Sequence, residues 1–568
     1  QYIIYSLMVS NYLIFFLSYF LIVFSVIGHG LLAINLFKIK IPTGEIGFVG
    51  LLGVFFLILY SYLSHFFISH GYLHNLILIF IGLVSLFYLK FKSFNKENFI
   101  YLISVFTIIF LALIIFKTHD DFRYYHFPYS FYLNEFSMII GVGSLNLGFR
   151  TPSSIFYLNS LFYFPYLEYY LYHISAILIM AFSNIILISN IVKCLGKKKN
   201  NQFFFLNLLT FLFINIFFYR IAEHGTDRSA MILIFLFFIY VLNFRENYKN
   251  FEIDITKIIL LLSIIISLKS FYILYLIFLI PLFYYIYFDK KFFLITKIKT
   301  NRLFHFSILM GICVMLVYFF NTGCFLYPVQ ATCIEMVEWG ISKSDVSRLN
   351  THYQWWSKAG GGPGYKSPIE PELYIQDFNW LMNWINRYFF TKVSDFLLGL
   401  SLITFIFIML FKTLRREVRS NLFKKYSFYY YFILLLFIEW FLYHPALRYG
   451  GYIIISLIFF VPLSYFLSKY EFTKKFKFKV TVLILLGISI FLGRNIDRIF
   501  YEMSFYKADF SQNIYFFTDK GHFRVNDQIK KFSNEYDNCH SDSEECFKNK
   551  EVMIKKKYGK LILIKTRN

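Results

Sequence analysis

The segment Lys117-Thr118-His119-Asp120-Asp121-Phe122-Arg123-Tyr124-Tyr125-His126 gathers two adjacent carboxylates, two imidazoles and an Arg within a chain that is only 16% charged. Asp120 or Asp121 suits a general base for an incoming hydroxyl or amine, or a ligand for a divalent cation, with His119 and His126 as neighbours. The plainer alternative is a solvated loop with a helix-capping Asp. A second polar group, Arg220-Ile221-Ala222-Glu223-His224-Gly225-Thr226-Asp227-Arg228, offers Glu223, His224 and Asp227 as metal or acceptor partners. Cationic Arg123, Lys269 and Arg448, with His444 in Tyr443-His444-Pro445-Ala446-Leu447-Arg448-Tyr449, suit a phosphate or pyrophosphate head group. Arg grips such a group with a two-pronged fork and Lys with a point charge. For each cation alone, snorkelling to an interface is the competing explanation.

Trp355 and Trp356 precede Gly360-Gly361-Gly362-Pro363-Gly364. Aromatic faces stack on sugar rings, and a glycine-rich loop closes over a site. Trp380 and Trp384 stand just before an apolar run and fit an aromatic belt. No Walker motif, HExxH, GxSxG or dinucleotide fingerprint in strand context occurs, so soluble nucleotide chemistry finds no support.

The elements that must position these residues are membrane helices. The 568 residues are 58% hydrophobic, with 77 Phe and 47 Tyr, against about 45–50% apolar in soluble domains. The excess lies in runs near the length of about 20 residues that crosses a bilayer. About fourteen spans are predicted: 11–36, 46–69, 72–89, 98–116, 169–192, 203–219, 229–244, 256–268, 270–288, 303–320, 393–411, 426–443, 449–467 and 480–493. The first run is too long for a cleaved signal peptide and has no small-residue cleavage site after it.

Short loops on one side carry 28 of the 56 Lys and Arg, from Lys38 and Lys40 to Lys477 and Lys479. The opposite short loops hold only Arg220, Arg228, Lys269 and Arg448. By the positive-inside rule the polar groups lie outside the cytoplasm, as do both termini. The net charge of +23 thus needs no nucleic acid. Long outside segments follow at 117–168, 321–392 and 494–568. Cys324/Cys333 and Cys539/Cys546 fall there as close pairs, which an oxidising exterior favours as disulfides, while Cys194 and Cys313 do not. Two domains are expected: a multispanning body over 1–500, and an extracytoplasmic C-terminal α+β module over 501–568. That module has helical spacing at 526–536 and a strand at 561–564.

An acidic pair in the first large outside loop, a further acidic residue in a later one and a many-spanning body together resemble the GT-C glycosyltransferases. That group includes the protein O-mannosyltransferases and the lipid A aminoarabinose transferase. Closer in sequence, Tyr125-His126-Phe127-Pro128, the run from Gly143 to Ser154 and Asn321-Thr322-Gly323-Cys324-Phe325-Leu326-Tyr327-Pro328 are similar to bacterial multispanning proteins reading YHLP and GLGNL…LGFNSS. Thr151-Pro152 departs from the Asn those relatives prefer.

The resemblance implies an all-α, GT-C-like integral membrane protein of the bacterial inner membrane. It implies a polyprenyl-phosphate sugar donor within the membrane lipid, a glycan, lipid or protein acceptor outside the cytoplasm, and often a metal such as Mg or Mn. Asp120 or Asp121 would match the first catalytic acid, and Glu223 or Asp227 the second acidic motif. A flippase of lipid-linked saccharide, or an O-antigen polymerase or ligase, would use a similar cationic cavity.

Overall fold

The computed structural model describes residues 2–89, 96–199, 201–244, 250–288, 291–362, 365–411, 421–470, 472–510, 520–539, 552–557 and 560–565. Every predicted span contains helix, but that of 98–116 ends at Phe110 and not every helix is long. Eight of the described helices are long and apolar enough to cross a membrane, beginning with Tyr12–Phe37, Ile46–His65 and Tyr169–Gly196. Tyr72–Tyr88, Gln202–Phe217, Ser427–Tyr443 and Gly451–Leu467 are apolar but shorter. The run 270–288 starts as a 3-10 helix, Ser270–Phe278, before the α-helix Leu279–Phe288. Ile174–Gly196, Gln202–Phe217 and Gly225–Phe244 are buried along most of their length and form the core. Around them, large apolar side chains such as Leu398 (70% exposed) and Phe478 (72%) face outward. Such a surface suits lipid rather than water.

Helix-on-helix approach in the first layer depends on missing side chains. A Cβ on Gly28 would lie 1.8 Å from the carbonyl oxygen of Gly82, and one on Gly53 1.9 Å from that of Val26. Amides link the core helices: Asn215 donates to Asn184 at 2.7 Å, and Asn190 to Asn207 at 2.9 Å. Small residues for close contact and polar side chains for cross-links are how helices associate in lipid.

The loops segregate to two ends of the bundle. At one end Glu45 meets Lys193 at 3.3 Å and Lys257 at 2.6 Å, Asn98 donates to Gly44, and Arg302 to Phe37. At the other, Arg448 reaches Asp121, Trp384 donates to Pro445, Glu502 accepts from the Phe116 amide, and Lys560 donates to Phe66. These are the two loop sets that the charge distribution separates.

The C-terminal part forms a helix, Arg524–Asp537, and an antiparallel hairpin of Val552–Lys557 with Lys560–Lys565. The first hairpin strand is half lysine by sequence, which masked it from a propensity reading. The last long helix runs unbroken from Lys474 to Phe505. The tail is docked rather than free. Ile140 donates its amide to the Leu561 carbonyl of the second strand (3.0 Å) and accepts from the Leu563 amide (2.8 Å), and Lys530 pairs with Glu135 at 2.9 Å. Cys324 and Cys333 form the expected disulfide. Of the second expected pair, Cys546 lies outside the described residues. Cys194 and Cys313 are free and buried.

Cysteines placed singly at Lys198 and at Gly362 should label from opposite sides of the membrane, with Lys556 on the Gly362 side. Labelling of Lys198 and Gly362 from one side would contradict the segregated ends.

Candidate functional site

Four chain segments bring their charges to one point, at the end of the bundle opposite Glu45 and Lys193. Asp121 stands at the start of a one-turn π-helix, Phe122–His126. Asp227 lies in the first turn of Gly225–Phe244, where the helix dipole favours an anion. Lys269 sits in extended backbone (φ −158°, ψ 114°) between Phe251–Leu268 and the 3-10 helix. Arg448 belongs to the short turn Leu447–Tyr449, closed by Gly450 at φ +97°. A Cβ on Gly450 would also lie 2.8 Å from the Tyr275 hydroxyl, so both conformation and space require glycine.

Arg448 is shared between two carboxylates. Its Nη2 is 3.0 Å from Asp121 Oδ2, and its Nε is 3.2 Å from Asp227 Oδ2. Lys269 Nζ donates to the other Asp227 oxygen and lies 4.9 Å from the Tyr449 ring centroid. Burial pulls the Arg448 pKa down, but Asp227, Tyr449 and Asp121 outweigh it and hold the guanidinium firmly charged. Lys269 and Arg448 therefore do not stand as an unoccupied phosphate clamp. They are already neutralised.

The acidic pair is resolved into two different environments. Asp121 is in the network, whereas Asp120 is exposed and has no ion-pair partner among the described residues. His119 Nδ1 lies 3.1 Å from the Asp121 amide nitrogen, in position to accept from it, and 3.3 Å from Asp121 Oδ2. The His119 and His224 rings are 5.0 Å apart. Glu223 is claimed by Arg220 and lies 4.0 Å from His224. Arg228 donates to the Arg220 carbonyl at 3.1 Å and has no carboxylate partner among the described residues.

Three histidines are held neutral. Burial pushes His126 down to about 3 against the pull of Asp121, and pushes His444 to about 4, aided by Lys358 and Lys269. Burial and then Arg228 drive His224 well below the usual range. His444 thus supplies no charge to an anion. Arg123 lies against Gly521 in the tail, away from the Arg448 network. Trp355 is 6% exposed, its ring covered by Gly360 and Gly361, so no free face remains for a sugar; Trp356 is half-buried. Trp380 and Trp384 are buried too, donating to Asp377 and Pro445 instead of lining a lipid belt.

Among the described residues, no three His, Cys, Asp or Glu side chains stand close enough to hold a metal ion. Both Asp227 oxygens face cations and Glu223 faces Arg220, so these side chains as arranged do not fit Mg or Mn.

The short motifs of the first and second outside segments build the floor of this site. Asn146 donates to the Tyr124 carbonyl at 2.8 Å, and Gly148 leaves room for the Tyr125 ring. Ser153 donates to the Leu268 carbonyl at 2.6 Å, next to Lys269. Asn321 donates to Phe149, and Arg150 to the Tyr327 hydroxyl at 3.0 Å. One motif thus fixes both the turn behind Asp121 and the backbone beside Lys269. Sequence reasoning missed Tyr272, Tyr275 and Tyr449. The hydroxyls of Tyr272 and Tyr275, and His126 Nε2, are buried beside the network without a hydrogen-bond partner among the described residues. Nothing marks these tyrosines out among 47.

Replacing Arg448 by Gln should destabilise the protein by on the order of 1–3 kcal/mol, because a largely buried Asp227 loses one of its two cations. Asp227→Asn should then cost less in that background than in wild type, as thermal unfolding in detergent would show; additive losses would contradict a shared network. Acid acts through the histidines. Unfolded histidine titrates near 6.5, whereas His126 and His444 stay neutral in the fold down to about 3 and about 4. The unfolded state therefore binds more protons as pH falls below about 6.5, and stability should drop from pH 7 to 5, before carboxylates titrate. A midpoint of unfolding that does not move over that range would refute this.

No curated protein and no solved structure matches the chain. A family model described as a domain of unknown function, DUF8201, matches residues 12–455, from the first described span to just beyond Arg448 and excluding the docked tail. With that share of its length matched, the chain belongs to the DUF8201 family.

Proposed function

We propose that the protein is a GT-C-like glycosyltransferase of about fourteen spans in a bacterial inner membrane, with its polar site and both termini outside the cytoplasm. It would move a sugar from a polyprenyl-phosphate carrier to a glycan, lipid or protein acceptor. The observation that carries this is the meeting of two acidic motifs, Asp121 and Asp227, on one guanidinium at the outer-loop end. Ionised groups at such depth are costly and are retained where they serve a cavity. In this reading Asp120 or Asp121 takes the proton from the acceptor's hydroxyl or amine as that atom bonds to the anomeric carbon. The carbon–oxygen bond to phosphate breaks, and polyprenyl phosphate leaves with the electron pair. No step passes through a metal. Arg228, which has no carboxylate partner among the described residues, and Arg448, once a carboxylate yields its place, would supply positive charge for the leaving phosphate.

A flippase of lipid-linked saccharide, or an O-antigen polymerase or ligase, would also use this positive charge; the flippase needs no base. Exposed Asp120 beside the network favours transfer.

Asp120→Asn and Asp121→Asn, singly or together, should lower glycan transfer by roughly 10²–10⁴-fold while membrane insertion stays intact. Envelope glycans compared between strains carrying each variant provide the readout. Undiminished modification with the double variant would overturn the base and leave the flippase.

A further inference from the structure

The two legs of the Arg448 bridge are not equivalent. Asp227 is 12% exposed at its side chain, is held by Lys269 as well and is fixed in a helix. Asp121 is 27% exposed and sits after a non-helical stretch, 111–119, facing Arg448, whose side chain is itself 29% exposed. Its carboxylate can leave by side-chain rotation, whereas Asp227 cannot leave without abandoning two cations. The Asp121 leg is the displaceable one.

Charge arithmetic says what would displace it. Arg220, Arg228, Lys269 and Arg448 provide four positive charges, and Asp121, Glu223 and Asp227 provide three negative ones in ion pairs. The neutral imidazole of His224 lies within the fields of Arg228, Arg220 and Arg448, so these cations share one neighbourhood. With Asp121 swung out, four cations face two carboxylates. The guanidinium charge so freed suits a phosphate, whose oxygens also fit the fork of an Arg better than a single carboxylate oxygen does.

We propose that the Asp121–Arg448 ion pair is a latch: a phosphate group seats on the Arg448 edge that Asp121 now occupies, and its arrival releases the Asp121 carboxylate. This rests on the transferase reading for its purpose but not for its chemistry. Under that reading with Asp121 as the base, its carboxylate becomes free only when a phosphate-bearing donor is in place, which restrains unproductive proton transfer in the empty site.

The test is a binding measurement on the full-length protein in lipid nanodiscs, without turnover. The probes are a polyprenyl monophosphate in the disc and, separately, inorganic phosphate. Removing the competing carboxylate should strengthen binding. For a latch closed about nine-tenths of the time, Asp121→Asn should bind phosphate roughly tenfold tighter, since apparent affinity scales with the competent fraction. Asp121→Glu keeps the competing charge and should stay near wild type, and Arg448→Gln should lose at least that factor. Tightening with the lipid probe assigns the anion to a lipid head group, and tightening with inorganic phosphate alone assigns it to a free anion; either supports the latch. Equal or weaker binding by a folded Asp121→Asn protein to both probes overturns it. Tightening in Asp121→Asn, together with no effect of the Asp120→Asn/Asp121→Asn double variant on envelope glycans, would sink the transferase and spare the latch.

Discussion

Ionised side chains near the edge of a bilayer lose hydration that only counter-charges can replace, and Arg448 is where this protein meets that constraint. Moving one carboxylate out of water costs several kcal/mol unless partners with good geometry surround it. Asp227 has Lys269 on one oxygen and Arg448 on the other. Arg448 in turn needs Asp121 to balance it. Because the four residues come from four separate segments, their mutual neutralisation fixes how the 117–126 segment, two helix junctions and the 444–450 turn approach one another.

The surrounding packing serves that convergence. Asn146, Gly148, Ser153 and Asn321 carry no charge, yet they hold the backbone around Tyr124, Tyr125 and Leu268, on either side of the network. The tail adds support from outside: Arg524 donates to the Tyr124 carbonyl and stacks on its ring at 5.0 Å. A residue can thus be essential to this site without touching a substrate.

Much of this was legible in the sequence. Uncharged runs and lysine-rich loops predict where helices lie and which ends share a side, because hydration cost and loop charge are local properties of the chain. The types of the polar residues also point to Asp121, Asp227, Lys269 and Arg448. What one-dimensional spacing does not reveal is pairing. It cannot show that Lys269 and Arg448 are already neutralised, that Asp120 differs from Asp121, or that Trp355 is covered by its own glycine loop. Arg448 finds its carboxylates 221 and 327 positions away and Lys269 its own 42 away, and even the nearby glycines that cover Trp355 do so through a fold that spacing alone does not give. The strand Val552–Lys557 is a further case, since its pairing with Lys560–Lys565 and the outer loops outweighs the poor strand propensity of lysine.

The shared guanidinium is also the most direct point of attack on the account. A structure of the full-length protein in a nanodisc with a polyprenyl monophosphate would show where the anion sits. The account predicts phosphate oxygens within hydrogen-bonding distance of Arg448, at about 3 Å, with Asp227 still paired and the Asp121 side chain turned away. Phosphate bound elsewhere, with the Asp121–Arg448 pair intact, would contradict it.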